Sequence, residues 1–197
     1  MASVVNRVAS WLVTAGRPVE LVGNFDVIVG TEQRPTEALA SLERGIALLE
    51  QGSGVPARRV RRACCRILLR GRGFPRYWHL PRVIVLGAEE LQGASNGCVA
   101  LTLVHEATHA RLHTLGLTAR RFGIDRIEQA CVRRERWLAS TFPGTFDWVG
   151  FVDQRAHGGA WSRAVVRRRF RDDLLGRGVP GWLAGLLAGL ATFRHPE

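Results

Sequence analysis

Two histidines and a glutamate fall within five consecutive positions, His105-Glu106-Ala107-Thr108-His109. On an α-helix, residues four apart lie on the same face and are about 6 Å apart along the axis, so both imidazoles can bind one metal ion. The carboxylate of Glu106 would lie beside that ion, where it could take a proton from a bound water whose pKa has fallen to about 7. These residue types at this spacing are typical of zinc-dependent hydrolytic chemistry.

The residues around this motif predict that it lies on a helix. The segment 98–115 contains no proline or glycine and is rich in leucine, valine and alanine. Ser95 precedes it as a helix start signal, and Gly116 follows it at the position of a C-terminal cap. A short strand rich in β-branched residues is predicted immediately upstream, at 82–87. The order strand, loop and helix places the motif in the middle of a helix.

In this context the motif resembles that of the zincin superfamily of metallopeptidases, in which a helix carrying H-E-x-x-H packs on a small twisted sheet. Thr102 lies three residues before the first histidine, where zincins have valine or threonine. Arg111 departs from the hydrophobic residue that zincins have two positions after the second histidine. The resemblance covers about residues 80–140 and implies an α+β fold, with a small mixed sheet packed on helices and the motif on a central helix.

A catalytic zinc site has three protein ligands and one open position, so a third ligand is expected downstream of the motif. Glu128 lies nineteen positions after His109, a spacing similar to that of the gluzincin branch of the zincins, in which a glutamate on a second helix completes the site. Glu128 also follows Asp125 by three residues, which is typical of a capping box at a helix start. Glu135, two turns later, and His113, one turn after His109, are alternative ligands.

The chain has four cysteines, Cys64, Cys65, Cys98 and Cys131. They have neither C-x-x-C spacing nor the pattern of a disulfide framework. Cys131 lies about one turn after Glu128 and could approach the metal, although a small buried apolar side chain is the favoured interpretation. Free cysteines fit a reducing compartment, and residues 1–16 lack the sustained apolar core of a secretory signal. A cytoplasmic protein is therefore expected.

The chain has a formal net charge of +11, and all 28 of its basic residues are arginine. The arginines concentrate at 58–82 and 163–171, and the apolar period within the first stretch is compatible with either a helix or a strand. Solvated basic faces are the favoured interpretation of both stretches. A nucleic-acid partner is possible but not favoured, because no helix-turn-helix, zinc-finger or RNA-binding signature accompanies the charge.

Length and composition predict one domain, 1–197, because 197 residues with 46% hydrophobic content can bury a core. Apolar periodicity predicts a short amphipathic helix at 1–16, a strand at 25–29 and a helix at 35–51. A further helix is predicted at about 160–175.

The segment 179–193 is almost wholly apolar and has a glycine at every fourth position, starting at Gly181. As a helix it would be about 22 Å long, short of the roughly 30 Å of a bilayer's hydrocarbon core. A buried or interface helix is predicted rather than a transmembrane span, with peripheral membrane contact as the alternative. Upstream, the aromatic loop 142–159 could line a substrate cleft, and its His157 is a candidate oxyanion-stabilising residue.

Together these expectations describe a zinc metallopeptidase in which His105, His109 and Glu128 bind Zn2+ and Glu106 is the general base acting on a peptide or protein substrate. Two alternatives stay open. One is a non-enzymatic basic helical module that binds nucleic acid or an acidic protein, and the other is a zincin-fold protein that binds a metal without peptidase activity.

Overall fold

A computed structural model describes most of the chain up to residue 141 and a few positions beyond it. The described residues are 16–31, 33–51, 54–64, 66–73, 75–79, 82–141, 168, 171, 175, 180–183 and 185. The chain divides into two compact units, residues 1–114 and residues 115–197. The expectation of one domain stays a prediction.

Several predicted elements fall wholly or largely outside the described residues. They are the amphipathic helix at 1–16, the loop at 142–159 with His157, and the helices at 160–175 and 179–193. The described residues therefore concern the sheet, the helix that carries the motif and the helix that follows it.

The first unit contains a five-stranded mixed sheet in the order β1-β2-β3-β5-β4. Its strands are β1 (Val19–Val22), β2 (Phe25–Val29), β3 (Arg66–Arg70), β4 (Arg76–Trp78) and β5 (Val83–Gly87). The neighbours β2, β3 and β5 run parallel, while β1 and β4 pair antiparallel at the two edges. A mixed sheet combined with helices confirms the predicted α+β class.

The interior strands are short apolar runs. The middle of β3, from Ile67 to Leu69, and all of β5 are buried, as is typical of parallel strands covered on both faces. The strands predicted at 25–29 and 82–87 are confirmed as β2 and β5. The edge strands β1 and β4 are short and partly exposed, and the sequence did not predict them.

Six helices lie wholly within the described residues. They are α1 (Thr36–Glu50), α2 (Val55–Ala63), α3 (Ala88–Leu91), α4 (Asn96–Thr114), α5 (Ala119–Phe122) and α6 (Ile124–Thr141). Helix α1 confirms the prediction at 35–51, and its buried face includes Leu39, Leu42, Ile46 and Leu49. In the part of the chain that the structure describes, no helix combines the length and the apolar character needed to cross a membrane.

The stretch whose period was compatible with helix or strand contains both. Helix α2 ends at Ala63 and β3 begins at Arg66. Between them, the buried thiol of Cys64 donates to the carbonyl oxygens of Arg66 at 3.2 Å and Arg82 at 2.8 Å. This side chain therefore ties the start of β3 to the residue that precedes β5.

Helix α4 carries the histidine motif and contacts α1, α2, β4 and β5. Helix α1 approaches it closely at Gly45, where an added Cβ would lie 2.5 Å from Cγ1 and 2.7 Å from Cβ of Val99. Because protein interiors are close-packed, a larger residue there would force the two helices apart. The glycine therefore helps to set the position of α4 against α1.

Candidate metal centre

The ends of α4 match the predicted signals. The hydroxyl of Ser95 accepts a hydrogen bond from the backbone N–H of Cys98 at 3.2 Å, as expected of an N-cap residue. Two residues after the last helical residue, Gly116 has a φ of +73°, the left-handed conformation of a C-terminal cap. These two signals frame one continuous helix with the histidine motif near its middle.

Most of α4 is buried, including two members of the motif. His105 is 2% exposed and Glu106 is 5% exposed, while His109, one turn later, is half-buried. Burying an imidazole and a carboxylate next to each other costs free energy unless polar partners compensate them. Buried ionisable groups in the middle of an apolar helix are a feature that functional sites often share.

The two imidazoles of the motif converge. The Nε2 atoms of His105 and His109 are 3.1 Å apart, and the ring centroids are 4.9 Å apart with the planes inclined at 62°. Two nitrogens bound to one tetrahedral zinc at about 2.0 to 2.1 Å would be about 3.3 Å apart. The observed separation is close to that value, so the distance between the two nitrogens is compatible with one shared ion.

A thiol supplies a third donor atom. Each of His105, His109 and Cys131 offers one ligand atom, and these three atoms lie within 4.8 Å of one another. This largely buried group of two imidazoles and a thiol could hold a metal ion.

Helix α6 places three ionisable side chains in its buried face. Glu128, Cys131 and Glu135 are spaced by three and four residues, and all three are buried. Because α6 begins at Ile124, Asp125 lies in its first turn rather than at the N-cap, so the capping box considered for Glu128 does not form. Within the described residues, the three-donor group contains Cys131 and neither glutamate. Ligation by Glu128 or Glu135 stays a prediction.

His113, the remaining ligand candidate, is engaged elsewhere. It is exposed, and its ring stacks on that of His79 with the centroids 4.8 Å apart and the planes at 28°. The ring of Tyr77 approaches its edge at 6.4 Å. Partial burial, and then the neighbouring His79, lower the pKa of His113 below its ordinary value. His113 therefore belongs to a separate aromatic cluster at the end of α4 and is not one of the three donors.

The sequence analysis identified Cys131 as a residue that could approach the metal, but it favoured a buried apolar role for this side chain. Cys131 follows Glu128 by three residues, so the helical period puts both on one face. That period cannot tell which of them comes closest to the histidines. The other two described cysteines, Cys64 and Cys98, are not in disulfides and lie outside the three-donor group.

Comparisons of the chain with protein-family models, with curated proteins and with solved structures found no significant match. The resemblance to zincins consequently rests on the motif and on the residues around it.

Proposed function

We propose that this protein is a zinc-dependent hydrolase that acts on peptide bonds. The proposal depends chiefly on one observation, the 3.1 Å separation of the Nε2 atoms of His105 and His109, together with the burial of Glu106, the residue that follows His105. The zincin-like fold implied by the motif is part of the same proposal. The α+β class with the motif on a buried helix next to a mixed sheet supports it.

His105 and His109 would bind the ion through their Nε2 atoms, and Cys131 would be the third ligand. The proximity of the three donor atoms favours Cys131, whereas the spacing typical of gluzincins favours Glu128. Either residue adds one negative charge and leaves one coordination position open. An open position is what separates catalytic zinc sites from structural ones.

Zinc, when bound, would polarise the scissile carbonyl and lower the pKa of a water molecule. Glu106 would accept a proton from the attacking water with its carboxylate and later deliver it to the leaving amine. Glu106 follows His105 directly on the same buried helix, and its burial within α4 limits the freedom of its carboxylate to move. The two histidines would serve as neutral ligands.

The protein's own metal content and hydrolytic activity test this proposal. Protein purified without a histidine tag should contain about one zinc per chain and should cleave members of a mixed peptide library. A strong chelator should abolish cleavage, and added zinc should restore it. Protein that contains no transition metal and binds none would overturn the proposal.

A metal-binding protein without peptidase activity is the second candidate, favoured by the same three donor atoms. It also predicts about one bound zinc per chain, but no cleavage of any peptide, with or without the chelator. The library assay therefore separates the two.

A further inference from the structure

One long segment of the chain contains arginines and no acidic residue. Between Glu50 and Glu89 there is no aspartate or glutamate, and there are nine arginines. The chain's net charge is +11, so the rest of the chain contributes 11 − 9 = +2. Nearly all of the excess positive charge thus comes from this segment, which the proposed hydrolase site does not use.

Within the segment, α2 presents three arginines to solvent. Arg58, Arg59 and Arg62 are exposed, whereas Pro56, Ala57 and Val60 on the opposite side are buried. Arg58 and Arg62 are one turn apart, about 6 Å along the helix axis. These three exposed residues, Arg58, Arg59 and Arg62, form the α2 arginine face.

Ion pairs with the described acidic residues do not account for Arg58 and Arg62. Among the described residues, Arg34 pairs with Glu20 and Arg72 pairs with Glu89, whereas no described acidic residue pairs with Arg58 or Arg62. The arrangement also has an internal cost, because like charges three and four residues apart on a helix repel each other.

The helix dipole stabilises only some of the arginines of α2. Arginines in the last turn of a helix interact favourably with the helix dipole, and Arg61 and Arg62 lie there. Arg58 and Arg59 lie nearer the start of α2, whose first turn has no acidic residue to offset them. An external anion would relieve the repulsion that the helix itself does not.

We propose that the α2 arginine face binds nucleic acid through its phosphate backbone. Guanidinium groups form paired, charge-assisted hydrogen bonds with phosphate oxygens, and a nucleic-acid strand offers phosphates at regular short intervals. Several exposed guanidiniums on one helical turn match that density of charge.

A membrane surface fits this face less well. Helices that lie on membranes combine cations with an exposed apolar face that enters the lipid. The apolar face of α2 is buried, and none of the exposed large hydrophobic residues among those described lies between 54 and 88. Positive charge without exposed apolar surface favours a polyanion in water.

Fluorescence anisotropy on the full chain can test the proposal. The probe is a labelled single-stranded oligonucleotide of about 20 nucleotides, with its duplex as a second probe. We expect binding whose affinity falls steeply with salt. Three phosphate contacts contribute a slope of about −2.1 to −2.7 on logarithmic axes, which is about a 20- to 40-fold loss between 50 and 200 mM salt. Replacing all three arginines of the face by glutamine should remove that part of the slope.

The matched control removes the same charge elsewhere. Arg120, Arg126 and Arg133 are also exposed, and they lie on α5 and α6. Their triple glutamine variant should bind the oligonucleotide nearly as tightly as the parent chain. Equal losses in both triple variants would overturn the proposal, because they would show a response to net charge rather than to this face.

Other polyanions and single-arginine variants provide two further tests. Tighter binding to phosphatidylserine vesicles or to polyglutamate than to the oligonucleotide would overturn the assignment of the partner. If the triple variant does not fold, the single changes R58Q and R62Q should each reduce the slope by about 0.7 to 0.9, and an unchanged slope in both would contradict the proposal. A chelator should leave oligonucleotide binding unchanged, so this test is independent of the hydrolase site.

Discussion

Replacing Cys131 by alanine should weaken zinc binding by about two to three orders of magnitude. The thiol is one of three donors within 4.8 Å of one another. Structural zinc sites with four ligands bind with about 10 to 16 kcal/mol, or about 2.5 to 4 kcal/mol for each ligand. At about 1.4 kcal/mol per tenfold change, the loss of one ligand corresponds to this weakening.

Competition with a chromophoric chelator measures this change, because the chelator reports the free zinc at equilibrium. Cys98→Ala is the matched control, since Cys98 is also a free thiol but lies outside the three-donor group. Its zinc affinity should equal that of the parent chain. Cobalt substituted for zinc adds an independent signal, because a thiolate ligand gives an intense charge-transfer absorption that Cys131→Ala should remove.

The zinc affinity of the Glu128→Gln variant tests the alternative third ligand. If Cys131 is the ligand, Glu128→Gln should change zinc affinity by about tenfold or less, the lower end of the effect expected of a residue that only supports the ligands. Unchanged affinity in Cys131→Ala, together with a loss of about a hundredfold or more in Glu128→Gln, would refute the geometric reasoning. That result would indicate that Glu128, the third ligand predicted from the sequence, binds the zinc.

Three other changes test the fold around the site. Gly45→Ala should destabilise the chain by about 1 to 2 kcal/mol in urea denaturation, because the new Cβ meets Val99; a gain in stability would show that α1 and α4 separate easily. Ser95→Ala should cost about 1 kcal/mol through the lost N-cap bond, and no change would argue against the cap. Burial and then His79 lower the pKa of His113 in the folded chain, so protonation of His113 opposes folding. The free energy of unfolding should therefore fall as the pH decreases below about 6.5, the ordinary pKa of histidine. His113→Gln should flatten this dependence, and an unaltered pH profile would contradict it.

The sequence predicted the elements whose pattern is strong and local. The strand 25–29, the strand 82–87 and the helix 35–51 are each a clear apolar pattern between turn residues, and each appears within one residue of its predicted bounds. The motif helix was similarly defined by its cap residues Ser95 and Gly116. Local signals suffice where the apolar period, the caps and the burial agree.

The sequence did not predict the elements that depend on pairing with distant residues. Strand β4 has three residues, and it exists because β5 pairs with it along the sheet edge. Strand β1 alternates polar and apolar residues weakly and is held by β2. At 58–69 the same apolar residues suit a helix and a strand, and the break at Cys64 depends on hydrogen bonds to Arg66 and Arg82. Such tertiary contacts are invisible to a local period.

In the candidate site, too, the local spacing was predictable from the sequence and the contribution of a distant element was not. The spacing of His105 and His109 dictates that both rings share a face, and the 3.1 Å between their Nε2 atoms agrees with that prediction. The spacing within the motif does not determine the third donor. A helical period limits the choice to one face of α6, where Glu128 and Cys131 are neighbours, and it cannot select between them.

Hydrolysis by Glu106→Gln at matched zinc content tests the central claim most directly. The change keeps the size of the side chain and removes its ability to accept a proton. We expect zinc content equal to that of the parent chain and peptide cleavage reduced by about a hundredfold or more, the usual contribution of a general base. Loss of zinc with retained cleavage, or full zinc with unchanged cleavage, would contradict the role assigned to Glu106. No cleavage by the zinc-loaded parent chain would contradict the hydrolase itself.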